Sequence, residues 1–526
     1  MTTFWLRGNV SVNVAYDDRT PFGSPTTSRP EHSVRRLYAP LIAYAETHGL
    51  GALSAAAPRL LADVVDSDAF REIAEVGSDG SWSLREHVRF PDPRLSRPRQ
   101  LTFACEDRVD GEGFVRLRLP DGHWPLAHAV IADLSNGGLA EHSLTSLHPD
   151  MQKLVTGLAE QDLLGLEPPG RPDPDLDASD LTFCGHNTVV VRGDEAQVLV
   201  DPWMPARLAR YPDDYQPMQL ADLGRIDAVL LTHSHPDHLD PASLLRLPTD
   251  TPVIVPVVER ETLLASDMAA RLGELGFTTV IALPWGASWQ VGDVTVTALP
   301  FVGEQPTDTL QLHPEIRNAG NTYLVRTSRC SAVFLADSGK DDRGDVRDVA
   351  LRARLELGPA DVVFSGYRGW STYPFQLLFS SVARFLLFIP PALWGCRMEL
   401  MTGLTGALDV AERWGASVLV PYADGGAPWH WRVGLGPRLD EDAQETRGFD
   451  PFPERLVEVA HERSSLPDGS STSSGVAVRL LRPGDSLTSV RAHPRTLRLP
   501  GHRWPWRDRV PEGSVPEIND TGQSWS

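Results

Sequence analysis

The sequence predicts an α/β protein in which mixed sheets are flanked by helices, preceded by a separate α+β domain. Three observations predict it. Between residues 188 and 421, short runs rich in Val, Ile and Leu alternate with helical stretches; a proline-rich break at 168–175 sets this part off from what precedes it; and the first 165 residues mix helical runs with short strand-like pieces. A chain of 526 residues exceeds one ordinary core, and its length is read as two domains and a tail. Hydrophobic and charged fractions of 41% and 23% are ordinary for a globular protein, so most of the chain is expected to fold.

Residues 1–165 form the α+β part, with a helical run at 37–48, a strand at 114–119 and a helix at 148–164. In that helix Met151, Leu154, Val155, Leu158 and Leu163 fall mostly on one face. The linker spans 166–178, where Pro168-Pro169-Gly170-Arg171-Pro172 removes donors and fixes φ. Residues 179–482 form the second domain. Runs at 188–191 and 196–200 read as a hairpin ending on Asp201-Pro202; strands follow at 228–232 and 253–257, a helix at 261–275, and strands at 279–283 and 294–299. A hairpin at 323–326 and 331–336, a strand at 361–364, a helix at 406–414 and a strand at 418–421 complete it. Residues 483–526, rich in Arg, Pro and Trp, read as a partly disordered C-terminal tail.

A net charge of −21 argues against a nucleic-acid partner, which needs a concentrated positive surface. Cys105, Cys184, Cys330 and Cys396 are widely spaced and form no CxxC pair, so neither a zinc ribbon nor a disulfide framework is indicated. Residues 1–7 lack a basic segment followed by an apolar one, so a cytoplasmic protein is expected. Residues 373–394 are strongly apolar, but Arg384 and Pro390-Pro391 interrupt them, so a buried helix or a lid is expected instead of a membrane span, with docking on a partner or a membrane face as the alternative.

The chemistry concentrates at Thr232-His233-Ser234-His235-Pro236-Asp237-His238. His233 and His235 are two apart behind an apolar run, so in an extended segment both rings point to one side, onto one ion. Pro236 then bends the chain and lets Asp237 and His238 turn toward a second ion, about 3.5 to 4 Å away in two-metal sites.

This segment resembles the HxHxDH signature of the metallo-β-lactamase superfamily, and residues 181–202 resemble that superfamily's opening hairpin. The resemblance covers residues 180–427 and implies an αββα metallo-β-lactamase sandwich. It implies that Asp201 lies behind the ligands and fixes an imidazole by accepting its other N–H. It also implies that Asp337, after the run 333–336, bridges the two ions. Where the family commonly supplies a histidine after the strand 294–299, this sequence has none. Glu304 is the candidate there, with His313, deeper in the loop, as the alternative. The family's last histidine is also missing near 418–426, where Asp424 or His430 are the substitutes on offer. The metal ligands so read are His233, His235, Asp237, His238, Glu304 and Asp337, of which Asp237, Glu304 and Asp337 are the catalytic candidates. His186 and Lys340 are candidates for binding substrate.

Three imidazoles and three carboxylates are oxygen-rich for a dizinc hydrolase, and hard carboxylate donors favour iron over zinc as the two-metal cofactor. A histidine-to-glutamate exchange at this point resembles the di-iron β-hydroxylases, as in chloramphenicol biosynthesis. That likeness implies O2 activation and hydroxylation of an amino acid, free or tethered to a carrier protein. The rival is a hydrolase of an ester, lactone or phosphodiester, in which two metals acidify a bound water. A homodimer is among the states the sequence allows.

Overall fold

The computed structural model describes residues 2–16, 32–79, 81–92, 97–105, 107–108, 113–170, 176, 178–207, 218–369, 371–379, 382–423, 453–465, 475–481, 483–492 and 494–498. Among its described residues the N-terminal part has two three-stranded antiparallel sheets, besides the two-stranded pair Ala74–Val76 with Trp82–Leu84. One joins Val10–Tyr16, Pro98–Cys105 and Phe114–Arg118; the other places Thr3–Leu6 between Leu139–Ala140 and Leu164–Gly165. The helix expected at 148–164 runs Pro149–Glu160, with proline in its first turn and His148 Nδ1 accepting from the Asp150 N–H at 3.3 Å.

The second part is a four-layer sandwich of helix, sheet, sheet and helix. One sheet has eight strands and orders Val280–Leu283, Val253–Pro256, Ala228–Leu230, Gln197–Val200, Thr188–Arg192 and Leu181–Gly185, then Asp485–Thr488 and Arg495–Arg498. The other has seven and runs from Ser288–Val291 through Val294–Pro300, Asn321–Arg326, Ser331–Phe334, Val362–Ser365 and Val418–Pro421 to Ala477–Val478. Alternate residues decide what faces what. Val189, Val191, Val198, Val200 and Leu230 meet Val296, Ala298, Tyr323, Val325 and Phe334 in the core between the sheets. Their neighbours Val190, Leu199 and Val229 face outward under the helix Met268–Leu275, and Leu324, Val333 and Val363 pack under Val346–Leu357 and Leu404–Trp414. Burial on both faces explains why these strands are continuous apolar runs in the sequence.

Three expectations are corrected. The helix expected over 261–275 begins only at Met268, because Asp267 caps it by accepting from the Ala270 N–H at 3.1 Å; Leu263 and Leu264 pack elsewhere. The apolar stretch 373–394 is three short 3₁₀ turns, Pro374–Phe379, Ala383–Phe388 and Pro391–Leu393, instead of one helix. The stretch read as a tail opens with two strands: Leu487 pairs with Leu181, and Arg495–Arg498 closes the edge. An unpaired Leu181–Gly185 edge would leave ladder groups open, and Asp485–Thr488 satisfies them. No helix among the described residues is long and apolar enough to cross a membrane. All four cysteines are free.

The N-terminal part is tied to the sandwich through shared apolar cores. Val34, Tyr38, Leu53, Phe70 and Trp82 pack with Phe375, Leu378, Phe385, Leu387 and Trp394, and Trp82 Nε1–H donates to Leu387 O at 3.0 Å. On the other side, His128 of the helix Trp124–Ala132 donates through Nε2–H to Leu247 O at 2.9 Å and meets the Phe277 ring edge-on. Burial lowers the His128 pKa to about 4. An unfolded histidine titrates near 6.5, so as pH falls from about 6.5 to about 4 the unfolded chain binds a proton that the folded chain refuses. Stability is therefore lost in that window, by about 3 kcal/mol from this one group. Urea denaturation as a function of pH should show this slope, and His128→Gln should flatten it; an unchanged slope in the variant would refute the assignment.

Candidate metal centre

The donors sit at the strand ends on one edge of the sandwich. Ala228–Leu230 lies between parallel neighbours, and its continuation is held by Tyr323, whose hydroxyl donates to Leu231 O at 2.9 Å. Asp201 closes the adjacent strand with φ 39°. It accepts from Thr232 N–H at 2.7 Å, from Thr232 Oγ1–H at 2.6 Å and from His238 Nδ1–H at 2.8 Å. A carboxylate only accepts, so His238 must carry its proton on Nδ1. Thr232 Oγ1, its own proton given to Asp201, lies 3.1 Å from His233 Nδ1 and accepts from it. Both imidazoles therefore turn Nε2 inward. Both Nε2 atoms are buried and lack a hydrogen-bond partner.

What they face is carboxylate. His233 Nε2 is 3.2 Å from Glu304 Oε2 and 3.7 Å from Asp337 Oδ2; His235 Nδ1 is 2.8 Å from Glu304 Oε1. His238 Nε2 is 3.3 Å from Asp337 Oδ2 and 3.7 Å from Asp237 Oδ2, and His186 Nε2 is 2.8 Å from that same Asp237 oxygen. Two donor groups result, His233-His235-Glu304-Asp337 and His186-Asp237-His238, each with ligand atoms within 4.8 Å of one another. One Asp337 oxygen lies between them. Donors about 2.1 Å from a shared ion stand about 3.0 to 3.4 Å apart at octahedral or tetrahedral angles, so these separations and the two bare Nε2 atoms fit two metal ions.

Strained backbone accompanies the cluster. His186, Asp201, Glu304, Ala336 and Ala423 all have positive φ, and each borders a strand end at or beside the donors. Glu304 leaves its strand through Gly303, at φ 88°, where any Cβ would run into the backbone of Gly339. Its own N–H donates to Leu400 O at 2.6 Å. Burial pushes the Glu304 carboxyl up, yet the facing His235 and His233 outweigh it and hold the pKa at about 2. Asp237 is likewise held far below the carboxylate range: burial opposes this, and His238 and His186 overcome it. Burial would lower His235 and His238, but their carboxylate neighbours raise both. Metal binding at such a cluster would compete with protons for these imidazole nitrogens.

All six residues expected as ligands meet here. His186, a candidate for binding substrate, also lies at the cluster, against Asp237, so four imidazoles and three carboxylates meet there. Lys340 is exposed on the short edge pair Lys340–Asp341 with Gly344–Asp345, and among the described residues no contact joins it to the donors. His313 is not a donor: its Nε2 accepts from the Leu84 N–H at 2.9 Å and its Nδ1 lies 3.3 Å from Glu315. Asp424 and His430 lie outside the described residues. Sequence reasoning missed Thr232, whose hydroxyl orients two rings, Asn187, which donates to Asp237 O at 2.6 Å, and Asn318, which donates to Glu304 Oε2 at 2.9 Å. Only Asn187, next to His186 in the opening hairpin, carried a signal by position.

Residues 196–422 match the family described as Beta-lactamase superfamily domain. Over 190 residues, 35% of this chain and 33% of the relative, the sequence is 33% identical to the 4-amino-L-phenylalanyl-[CmlP-peptidyl-carrier-protein] 3-hydroxylase of Streptomyces venezuelae. It is also 33% identical to an uncharacterized protein of Mycobacterium bovis over 137 residues, 24% of this chain and 34% of that one. The matches thus span about a third of the length of these curated relatives. Among solved structures, CmlA, a diiron beta-hydroxylase from Streptomyces venezuelae, superposes with a TM-score of 0.57 at 18% identity, covering 95% of this chain and 100% of that one. That likeness is one of fold, and it extends through the N-terminal part.

Proposed function

Starting from a metal-binding enzyme whose residues 196–422 form a β-lactamase superfamily domain in the metallo-β-lactamase fold, we propose that the protein is a binuclear, iron-dependent oxygenase. Its substrate is an amino acid or similar metabolite, tethered to a carrier protein as the name of the hydroxylase relative suggests. The observation that carries the reading is Glu304, which stands between His233 and His235 where the superfamily commonly has a third imidazole. An anionic oxygen donor at that point suits iron better than zinc.

In this reading His233, His235 and Glu304 would hold one metal, Asp237 and His238, with His186 beside them, would hold the other, and Asp337, near both His233 and His238, would serve the two. When bound, the metals would supply O2 activation. The protein's own residues keep the donors aimed and the site dry. Asp201 and Thr232 fix the tautomers of His238 and His233, and Asn187 anchors the Asp237 backbone. Phe301 and Phe385 pack beside His233 and His235 and exclude water from that flank. Asp237 and Asp337, each with 11% of its side chain exposed, are the most open donors, so substrate approaches from their side.

His186 supports the second reading, a hydrolase, because a fourth imidazole makes the second donor group more congenial to zinc. Metal analysis of protein purified without added metal, with O2 uptake measured alongside, separates the two. The expected result is two irons per chain, near-ultraviolet ligand-to-metal absorption, and O2 consumption with a carrier-bound amino acid. Two zincs, hydrolysis of a generic ester or phosphodiester and no O2 uptake would overturn the oxygenase.

A further inference from the structure

We propose that Asn318 is a positioning residue for the first metal: its side-chain amide, carried on a backbone that Gln305 holds, keeps the Glu304 carboxylate in the orientation that takes an ion together with His233 and His235. This rests on the reading of those residues as metal ligands.

Glu304 enters the site on a left-handed backbone, and the terminal torsion of a glutamate is broad and roughly two-fold. Something outside the residue must therefore choose the plane of its carboxylate. Oε1 faces His235 and Oε2 faces His233, which leaves a lone pair on Oε2 directed away from the imidazoles. Asn318 Nδ2–H donates to that oxygen at 2.9 Å. The backbone that carries this side chain is itself fixed. The Asn318 N–H donates to Gln305 Oε1 at 2.9 Å, while Gln305 Nε2 donates to Asn318 O and to Gly303 O, both at 3.1 Å. This reciprocal pair closes the neck of the loop that carries Glu304, from Gly303 to Asn318.

Two features separate this from packing. Asn318 is 4% exposed and its Oδ1 is buried with no hydrogen-bond partner, an arrangement that costs free energy and that an apolar side chain of the same size would avoid. Exchanging the amide oxygen and nitrogen would set Oδ1 against the carboxylate, so the donor must face Glu304. A neutral donor also orients the carboxylate without adding a positive charge beside an incoming cation, as Arg or Lys would.

The test is anaerobic calorimetric titration of the full-length apo protein with cobalt(II), followed in parallel by the cobalt visible spectrum. Wild type should take up two equivalents. Asn318→Leu, which keeps the branched shape and removes the unsatisfied oxygen, should weaken one equivalent by about 10- to 100-fold, change that site's cobalt bands and leave the other equivalent within about twofold. The thermal midpoint of the apo variant should stay equal to wild type or rise. Gln305→Ala, which frees the Asn318 backbone, should weaken the same equivalent by less. Two equivalents bound by Asn318→Leu as tightly as by wild type, or both weakened together with a fall in apo stability, would overturn the proposal alone. Wild type binding no cobalt would overturn the metal-centre reading and the proposal with it.

Discussion

Glu304→Ala is expected to abolish tight binding of one of two metal equivalents and to lower turnover by about 10³-fold, corresponding to about 4 kcal/mol of lost stabilisation. The carboxylate contributes an oxygen to each of two imidazole neighbours, and nothing else among the described residues reaches that position: His313 is engaged with Leu84 and Glu315. Glu304→His is the sharper variant because it restores the commoner superfamily donor set. An oxygenase that depends on an anionic donor should lose hydroxylation while still binding two metals, with preference moved toward zinc. Retention of full hydroxylase activity by Glu304→His would refute the role given to the carboxylate.

The second large effect belongs to Asp201. Asp201→Ala leaves three buried donors, Thr232 N–H, Thr232 Oγ1–H and His238 Nδ1–H, without their acceptor. The loss should destabilise the apo protein by about 4 kcal/mol, since each buried unsatisfied donor costs about 1 to 3 kcal/mol and the three share one site. His238 would then be free to change tautomer, and affinity for the second metal should fall by about 10- to 100-fold. Asp201→Asn is nearly isosteric but turns an N–H₂ group toward one of these donors, so it should repair little. Chemical denaturation of the apo proteins and metal titration check the two parts separately. A variant as stable as wild type would show that the Asp201 network is not what holds the loop.

How much of this was legible in the sequence follows from the range of the interactions. The histidine motif is local: a buried strand, a proline and a donor at fixed spacing leave the rings few directions, so His233 to His238 could be read from seven residues. Asp201, Glu304 and Asp337 each follow within four residues of a strand, and strands were recognisable by their apolar runs. His186 also ends a strand, but its pairing with Asp237 depends on how the hairpin at 181–192 stacks against the motif, which no local pattern encodes. Asn318 lies 14 residues beyond the carboxylate it touches, in a loop without periodicity. The helix expected over 261–275 failed because the apolar spacing of Leu263 and Leu264 serves a different core, while a single capping aspartate sets the start. The strand Asp485–Thr488 was missed because edge pairing with Leu181–Gly185 joins segments some three hundred residues apart; its hydrogen bonds, not its composition, make it a strand.

The apolar core shared by the N-terminal helices and residues 375–400 also constrains how the chain is made. Trp82 and its partner Leu387 are 305 residues apart, so during synthesis the first helices leave the ribosome with their inner faces uncovered. At about 5 to 20 residues per second, that interval is about 15 to 60 s, long beside the time a small domain needs to collapse. The nascent N-terminal segment thus exposes apolar surface that chaperones would cover, and lowering the temperature of expression should raise the soluble yield of the full chain more than that of a domain that closes on itself.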